Sequence, residues 1–179
     1  MTRLSRAQAV SLVLLRTLIG WHFLYEGYYK LALPGWSATG QPLGHWSAAA
    51  YLRAATGPLA SAFHALAASR LVPLVDVIVP VGLVLVGLSL TLGLFTRLGG
   101  WGAMALLMLF YVAAIPTSGA PFTGQEGTYL LVSKNLIELV AVMVVLTCHT
   151  ERIAGLDLLF ASGSAPLDPA PGRNVAAGL

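Results

Sequence analysis

The sequence predicts an all-α integral membrane protein, a four-helix bundle with short surface helices in a long first extracytoplasmic connection. Of its 179 residues, 57% are hydrophobic and only 9% are charged, whereas soluble domains carry about 25% charged residues. Four apolar stretches are long enough to cross a hydrocarbon core, which takes about 20 helical residues. A membrane barrel would instead show segments of about ten residues that alternate in polarity, and the sequence contains none.

The four predicted spans are residues 9–33, 73–95, 98–115 and 127–148. In lipid the backbone polar groups of a segment need partners within that segment, so each span is predicted to be a helix. The first span follows two arginines, as a signal peptide does, but no cleavage site of small residues follows it. We therefore expect the first helix to be retained, in a single transmembrane domain over residues 1–160.

The first connection, residues 34–72, contains two short helical stretches over 46–55 and 58–70, separated by a Thr-Gly-Pro break. Both are too short to span a membrane, so we expect them on the membrane surface or tucked into the bundle. The second connection, 116–126, is a loop rich in Gly, Pro and Thr.

The C-terminal part is predicted to lie outside the membrane. Residues 151–160 form an interfacial turn of helix, and residues 161–179, rich in Ala, Gly, Pro and Ser, form a disordered cytoplasmic tail.

The orientation of the bundle follows from the basic residues that flank the spans. The side predicted to be cytoplasmic carries Arg3, Arg6, Arg97, Arg152 and Arg173, whereas the other side carries Arg53 and Arg70. We therefore predict a multi-pass protein of the cell inner (plasma) membrane with both termini in the cytoplasm.

The remaining composition excludes several classes of function. The net charge of +3 is spread without a basic run, so no nucleic-acid partner is expected. The single cysteine, Cys148, excludes disulfide frameworks, C-x-x-C redox pairs, cysteine-ligated clusters and c-type haem attachment. The histidines contribute little to the predicted site, since only His22 and His64 could pair as haem ligands, and only if the second short helix dips inward.

Six ionisable residues lie inside the predicted spans, and their placement is the most informative feature of the sequence. They are three bases and three acids, Arg16, Glu26, Lys30, Asp76, Lys134 and Glu138. Such residues cost about 2.5–3.5 kcal/mol each on insertion scales, and they usually face the bundle interior with partners.

The first helix carries its polar residues on one face. At 100° per residue, Arg16, His22, Glu26 and Lys30 occupy an arc of about 120°. Glu26 and Lys30 are four residues apart, so they can pair directly.

The fourth helix repeats that spacing with Lys134 and Glu138, and Asn135 lies beside them. Arg16 lies deeper, on the cytoplasmic side, and Glu138 is the only acid that it is expected to reach.

A rise of 1.5 Å per residue gives the depth of the remaining charges. Lys30 and Asp76 lie about 5 Å inside the extracytoplasmic boundary, Glu26 and Lys134 about 10 Å inside, and Glu138 near the midplane. Five of the six charges therefore converge in the outer half of the membrane. This predicts a polar pocket open to the outside or to the outer leaflet.

Simpler explanations stay open for each charge. Lys30 can snorkel from a helix end, and Asp76 can simply favour a helix N-terminus. The group Lys134, Asn135 and Glu138 can join helices without a ligand, and for Glu26 and Arg16 a role in structural ion pairs is as open as a functional one.

Aromatic residues either wall a flat hydrophobic ligand such as a quinone or act as interfacial anchors and core. The candidates are Trp21, Phe23, Tyr25, Tyr28, Tyr29, Phe110, Tyr111, Phe122 and Tyr129.

Three motifs resemble a known family. The first helix carries Arg16, Gly20, Phe23-Leu24, Gly27 and Lys30, the second closes with GLSLTLGLFTR, and the fourth opens with EGTYLLVSKNLIEL. Over roughly residues 10–146 the chain resembles the DoxX superfamily and, within it, the DoxD-like branch. That resemblance implies a four-helix membrane subunit of a thiosulfate:quinone oxidoreductase, which couples thiosulfate oxidation to tetrathionate with reduction of the quinone pool.

Two functional hypotheses follow. In the first, the protein is a membrane subunit of a quinone-linked oxidoreductase. Lys30, Lys134, Asn135 and Arg16 bind the substrate or a quinone carbonyl, while Glu26, Asp76 and Glu138 act catalytically by carrying protons. In the second, the protein is a non-catalytic membrane anchor or assembly subunit for a redox partner, and the charges lock the bundle.

Both hypotheses place the chain in contact with the lipid bilayer and with a redox partner subunit or with copies of itself. No side chain is an obvious electron carrier, so redox chemistry needs a partner subunit or a bound cofactor. A small-solute transporter is a weaker alternative, because the sequence has no paired broken helices or repeated halves.

Overall fold

The computed structural model describes residues 4–32, 46–115, 128–129 and 131–158, and these are mostly helical. In chain order the elements are helices α1 (Arg6–Ala32), α2 (Ala48–Arg53), α3 (Ala60–Ala67), α4 (Val72–Leu92) and α5 (Thr96–Ala114), strands β1 (Thr128–Tyr129) and β2 (Val132–Ser133), helix α6 (Lys134–Thr147) and a 3₁₀ turn (Thr150–Arg152). The predicted loop 116–126 and the predicted tail 161–179 lie outside the described residues.

Serine side chains begin three of the helices. Ser5 Oγ accepts from the backbone N–H of Gln8, whose Oε1 accepts from the Ser5 N–H, which is a reciprocal capping box at the start of α1. Ser47 caps α2 and Ser133 caps α6 by accepting backbone N–H groups in the same way. These caps satisfy donors that a helix leaves without an internal partner.

A tight turn joins α4 to α5. α4 ends at Leu92 and is capped by Gly93, which has φ 67° in the left-handed region that favours glycine. Phe95 also has a positive φ, 50°, and α5 starts at the next residue. The second and third predicted spans are therefore helices of nearly the predicted extent, separated by three residues.

Three helices are long and apolar enough to cross a membrane, namely α1, α4 and α5. α6 has 14 residues, which gives about 21 Å of helix against a hydrocarbon core of about 30 Å. Unlike α1, α4 and α5, it is therefore not long enough by itself to count as a membrane span.

The predicted start of the fourth helix at residue 127 is wrong. Residues 128–129 and 132–133 pair as two antiparallel strands, and the helix begins only at Lys134. Hydropathy reports burial in lipid and does not distinguish a strand from a helix over so short a stretch. The Ser133 cap sets the boundary instead.

The two short helices of the first connection are confirmed. They are tucked against the end of α5, where the backbone N–H groups of Thr56 and Gly57 donate to the Ala113 carbonyl at 3.0 and 3.3 Å. A small apolar cluster joins them to α4 and α5 and includes Leu52, Phe63 and Ala113. We call this end of the molecule the α2–α3 end, and the opposite end, near Asp157, the Asp157 end.

α1 and α4 approach each other closely along a seam of glycines. A Cβ added at Gly27 would lie 2.7 Å from the Val84 backbone nitrogen, and one added at Gly87 would lie 2.4 Å from the Leu24 nitrogen. Such contacts let two helix backbones come together in lipid.

One apolar core joins α1, α4, α5 and α6. Its most buried members include Phe23, Leu90, Ala103 and Val142, one from each of these helices. Large apolar side chains such as Trp21, Leu85, Leu98 and Trp101 are exposed on the outside of the same helices. Because water would disfavour that surface, these faces fit contact with the lipid bilayer.

Candidate functional site

A cavity of about 600 Å³ lies toward the α2–α3 end, bounded by all six helices. Its charged, imidazole and amide side chains come from α1 and α6 and are His22, Glu26, Lys30, Lys134 and Asn135. Its apolar lining residues come mainly from α2, α3, α4 and α5 and include Leu52, Phe63, Val75, Val79, Leu107 and Phe110. The cavity therefore has one polar side and a larger apolar one.

The cavity opens on the outer surface beside α4 and α5. Leu74 and Ile78 of α4 line it and yet are 55% and 58% exposed, and Leu109 of α5 is similarly exposed. On an apolar outer surface such an opening faces lipid, so it suits a ligand that dissolves in the bilayer.

Glu26 and Lys30 form an ion pair on α1. The Lys30 ammonium also donates to the Glu26 backbone carbonyl at 3.4 Å and lies 5.8 Å from the centre of the Trp46 ring. The predicted pair is therefore formed, and a cation–π contact joins it to Trp46, two residues before the start of α2.

Glu138 pairs with a residue that the sequence analysis set aside. His22 Nδ1 lies 2.7 and 2.9 Å from the two carboxylate oxygens of Glu138, which joins α1 to α6. One signal for this pair was available, because His22 lies on the same polar arc of α1 as Glu26, four residues earlier. Its partner is not predictable from the sequence, because Glu138 lies on another helix and the contact depends on how α1 and α6 pack.

Lys134 and Asn135 are the first two residues of α6, and both line the cavity. Within the described residues Lys134 has no ion-pair partner, since its predicted neighbour Glu138 is bound to His22. A cation at a helix N-terminus is electrostatically unfavourable, so a ligand that accepts from the ammonium would relieve that cost.

Asp76 does not join the other charges. Its carboxylate accepts from the Ala48 backbone N–H at 2.6 Å and from the Ser47 hydroxyl at 3.3 Å, and it is not a lining residue of the cavity. It therefore holds the start of α2 against α4. The sequence analysis offered a simpler explanation, that Asp76 favours a helix N-terminus. Asp76 does interact with a helix N-terminus, and that helix is α2.

Arg16 does not reach Glu138, and that prediction is wrong. Its side chain lies at the Asp157 end, only 2% exposed, and donates to the carbonyls of Thr150 and Ala154 at 3.3 and 2.7 Å. The segment after α6 folds back over α1 and supplies these acceptors, which hydropathy alone cannot indicate. Arg16 is accordingly absent from the cavity.

Asp157 completes this second cluster and was not singled out from the sequence. Its carboxylate accepts from the backbone N–H groups of Phe95 and Thr96 at 2.7 and 3.0 Å, at the start of α5. Burial alone raises the pKa of Asp157, but the hydrogen bonds from Thr96 and Phe95 and the charge of Arg16 outweigh it, so the pKa lies below its ordinary value. We call Arg16, Thr150, Ala154 and Asp157 the latch.

Tyr51 lies on the wall of the cavity contributed by α2. Its hydroxyl donates to the Phe110 carbonyl at 3.2 Å, and its ring packs edge-on against the Phe110 ring. Burial raises the pKa of the Tyr51 phenol, so this group stays a hydrogen-bond donor at neutral pH and holds α2 on α5.

The haem hypothesis receives no support from the positions of the two histidines. His64 lies within hydrogen-bond distance of the Ala55 carbonyl, and it does not line the cavity where His22 lies. No group of three or more His, Cys, Asp or Glu side chains suited to a metal ion occurs in the described part of the chain.

Comparison with known proteins gives no relative: no family model, no curated protein and no solved structure matches the chain.

Proposed function

We propose that the protein is the quinone-binding membrane subunit of a quinone-linked oxidoreductase, of the DoxX/DoxD-like kind that its motifs resemble. The observation that carries this proposal is the cavity, which combines apolar walls, one charged side and an opening toward lipid. A quinone is complementary to such a cavity, because it has a flat ring with two polar oxygens and an apolar tail that dissolves in the bilayer.

The size and lining of the cavity support a small organic ligand. Sites for such ligands enclose about 300–1,000 Å³ and place a few polar groups in a mainly apolar pocket. The apolar walls, Phe63, Val79 and Phe110 among them, suit the ring and the first part of the tail.

The polar side suits the oxygens of the ring. Lys134 and Asn135 are donors at one edge of the cavity, and the Lys30–Glu26 pair lies on the α1 side. A carbonyl oxygen accepts hydrogen bonds from ammonium and amide groups. A small dianion such as thiosulfate suits these apolar walls poorly, so we assign thiosulfate oxidation, or that of another electron donor, to a partner subunit.

The proposal also extends the topology. We propose that α6, continued by the residues on either side of it, completes a fourth span in the cell inner membrane, with both termini in the cytoplasm. The cavity then lies in the outer half of the bilayer, as the depths of Lys30 and Lys134 predict. The anchor hypothesis keeps this topology but leaves the cavity without a ligand.

Quinone binding is tested by fluorescence, because Trp46 lines the cavity. The purified protein in nanodiscs is titrated with decylubiquinone, and saturable quenching of tryptophan emission is expected. Trp46→Phe is expected to lose the saturable component, whereas Trp21 and Trp101 lie on the exposed surface and contribute only a non-saturable background.

The matched variants are Lys134→Met and Arg53→Met. The first removes a cation from the cavity and is expected to weaken binding about tenfold, the loss typical of a hydrogen bond from a charged donor. Arg53 is an exposed cation of α2 that does not line the cavity, so its loss should leave binding unchanged. Wild-type protein without saturable quenching, purified together with a stoichiometric redox partner, would instead support the anchor hypothesis.

A further inference from the structure

His22 and Glu138 form a pair in which the two residues have different access to the cavity. His22 lines the cavity and its side chain is 40% exposed, whereas the Glu138 side chain is 13% exposed and does not line it. The imidazole therefore lies between the carboxylate and the space that a ligand would occupy.

The contact holds the ring by one edge. Nδ1 lies within hydrogen-bond distance of both carboxylate oxygens of Glu138. Nε2, on the opposite edge, makes no hydrogen bond within the described parts of the chain. A carboxylate that accepts from Nδ1–H directs the other ring nitrogen toward a substrate, as in the Ser-His-Asp arrangement of hydrolases.

This arrangement gives Nε2 two states. In the neutral ring the proton sits on Nδ1, facing the carboxylate, so Nε2 is a hydrogen-bond acceptor. In the protonated ring Nε2 carries a proton and is a donor. One atom can thus accept from a hydroxyl group at high pH and donate to a carbonyl group at low pH.

We infer that His22, oriented by Glu138, is the group that binds one ligand oxygen and distinguishes the oxidised from the reduced ligand. Protonated His22 donates to a quinone carbonyl, and neutral His22 accepts from a quinol hydroxyl. The inference rests on the proposed function and deepens it. His22 touches the ligand, and Glu138 is a positioning residue, in place of the direct proton-carrying role that the sequence suggested.

Other charges face the same ring. Glu138 and Lys134 come from α6 and Glu26 comes from α1, where it is paired with Lys30. The side chains that α4 and α5 contribute to the cavity are apolar, among them Leu83 and Leu107. The Tyr51 phenol of α2 also lines the cavity, and because burial raises its pKa it stays protonated at neutral pH. The opposite pH trends of the two affinities are therefore assigned to His22, with the acids and lysines of α1 and α6 as the charged groups that surround it.

The test measures the affinities of decylubiquinone and, without oxygen, decylubiquinol as a function of pH, using the quenching of Trp46. As the pH falls, the affinity for the quinone is expected to rise and that for the quinol to fall. We expect a change of about tenfold in each, the range for hydrogen bonds to charged groups.

Three variants separate the roles. His22→Gln keeps a side chain that both donates and accepts but does not titrate, so both ligands should bind with little dependence on pH. Glu138→Gln should shift the pH at which the two affinities cross, while the protein stays folded as judged by circular dichroism. His64→Gln, a histidine that does not line the cavity, should behave as the wild type.

The infrared carbonyl stretch of bound decylubiquinone gives a second measurement. A donated hydrogen bond lowers its frequency, so the wild type at low pH should show a lower frequency than His22→Phe. Opposite pH trends that persist in His22→Gln, or identical trends for both ligands in the wild type, overturn this inference and leave quinone binding intact. A wild type that binds neither ligand overturns the proposed function with it.

Discussion

The two ends of the molecule both contain charges that lipid would disfavour, but they satisfy them in different ways. At the Asp157 end, Arg16 and Asp157 bind backbone groups: Arg16 donates to the carbonyls of Thr150 and Ala154, and Asp157 accepts from N–H groups at the start of α5. Beside the cavity at the α2–α3 end, side chains bind side chains, as His22 does with Glu138 and Lys30 with Glu26. Asp76, which does not line the cavity, binds the Ala48 backbone as the charges of the latch bind theirs.

This difference distinguishes charges that stabilise the fold from charges that can bind a ligand. A charged side chain whose partners are backbone groups holds segments together and has little hydrogen-bonding capacity left for a ligand. A charge beside a cavity, with a neighbour that can change its protonation state, is available to a ligand. The location of a charge within a span does not distinguish these cases, whereas the identity of its partners does. Removing charges at each end tests this comparison.

The largest effect is expected for Arg16→Met. Arg16 is buried, and its loss removes the donor to the Ala154 carbonyl, one of the donors to the Thr150 carbonyl, and the cation near Asp157. We expect the free energy of unfolding to fall by about 3 kcal/mol, in the range for breaking a buried charged contact. Thermal unfolding in detergent measures the loss, and the folded fraction should bind decylubiquinone normally.

Arg97→Met is the control for this change. The Arg97 side chain is 64% exposed and lies 3.6 Å from Glu151, whose own side chain is only 13% exposed. Because the cation is in solvent, the contact has a small expected energy. Its loss should alter the stability by less than about 1 kcal/mol. Equal effects of the two substitutions would contradict the role assigned to the latch.

Lys30→Met should show the converse pattern. We expect decylubiquinone to bind about fivefold more weakly, equivalent to about 1 kcal/mol, because a charge beside the cavity is lost. The stability should change by only a few tenths of a kcal/mol, since the Lys30–Glu26 pair is partly exposed.

The double variant Lys30→Met/Glu26→Gln sharpens this prediction. It removes both charges of the pair and restores neutrality, so the stability should return to the wild-type value while the affinity stays low. If the affinity recovered together with the stability, the pair would be structural only. Fluorescence titration and thermal unfolding of the same samples provide both measurements.

A modest effect is also expected for Asp157→Ala, at about 1 kcal/mol of stability, the usual cost of removing a helix N-terminal cap. The contribution of Asp157 also depends on pH. Its pKa in the folded protein lies below the ordinary value of 3.8, so the folded state binds fewer protons than the unfolded state near that pH. The stabilisation is complete above the ordinary pKa and is lost as the pH falls through the lower, folded-state value.

Unfolding measured between neutral pH and strongly acidic pH tests that sign. The wild type should lose more stability on acidification than Asp157→Ala does, so the two curves approach each other at low pH. A difference between them that stayed constant with pH would show that the charge of Asp157 contributes nothing.

The helices were largely predictable because the signals that define them are local. The second and third spans follow from continuous apolar residues, and the short helices of the first connection follow from a Thr-Gly-Pro break. The pair Glu26–Lys30 was also predictable, since residues four apart on a helix lie side by side. The start of α6 was not predictable. The apolar residues just before it are equally compatible with a strand and with a helix, and the structure shows paired strands over 128–129 and 132–133.

The sequence by itself determined that this chain is mostly helical and that it contains helices apolar enough to cross a membrane, of which the described part of the structure shows three rather than the four predicted. It also determined that several charges share one face of α1. Composition and spacing along the chain are sufficient for those conclusions. Only the tertiary structure decided the partners of the charges: Glu138 pairs with His22 rather than Lys134, and Arg16 binds the backbone after α6. The physical reason is that the rotation and height of one helix against another depend on packing, as along the glycine seam of α1 and α4.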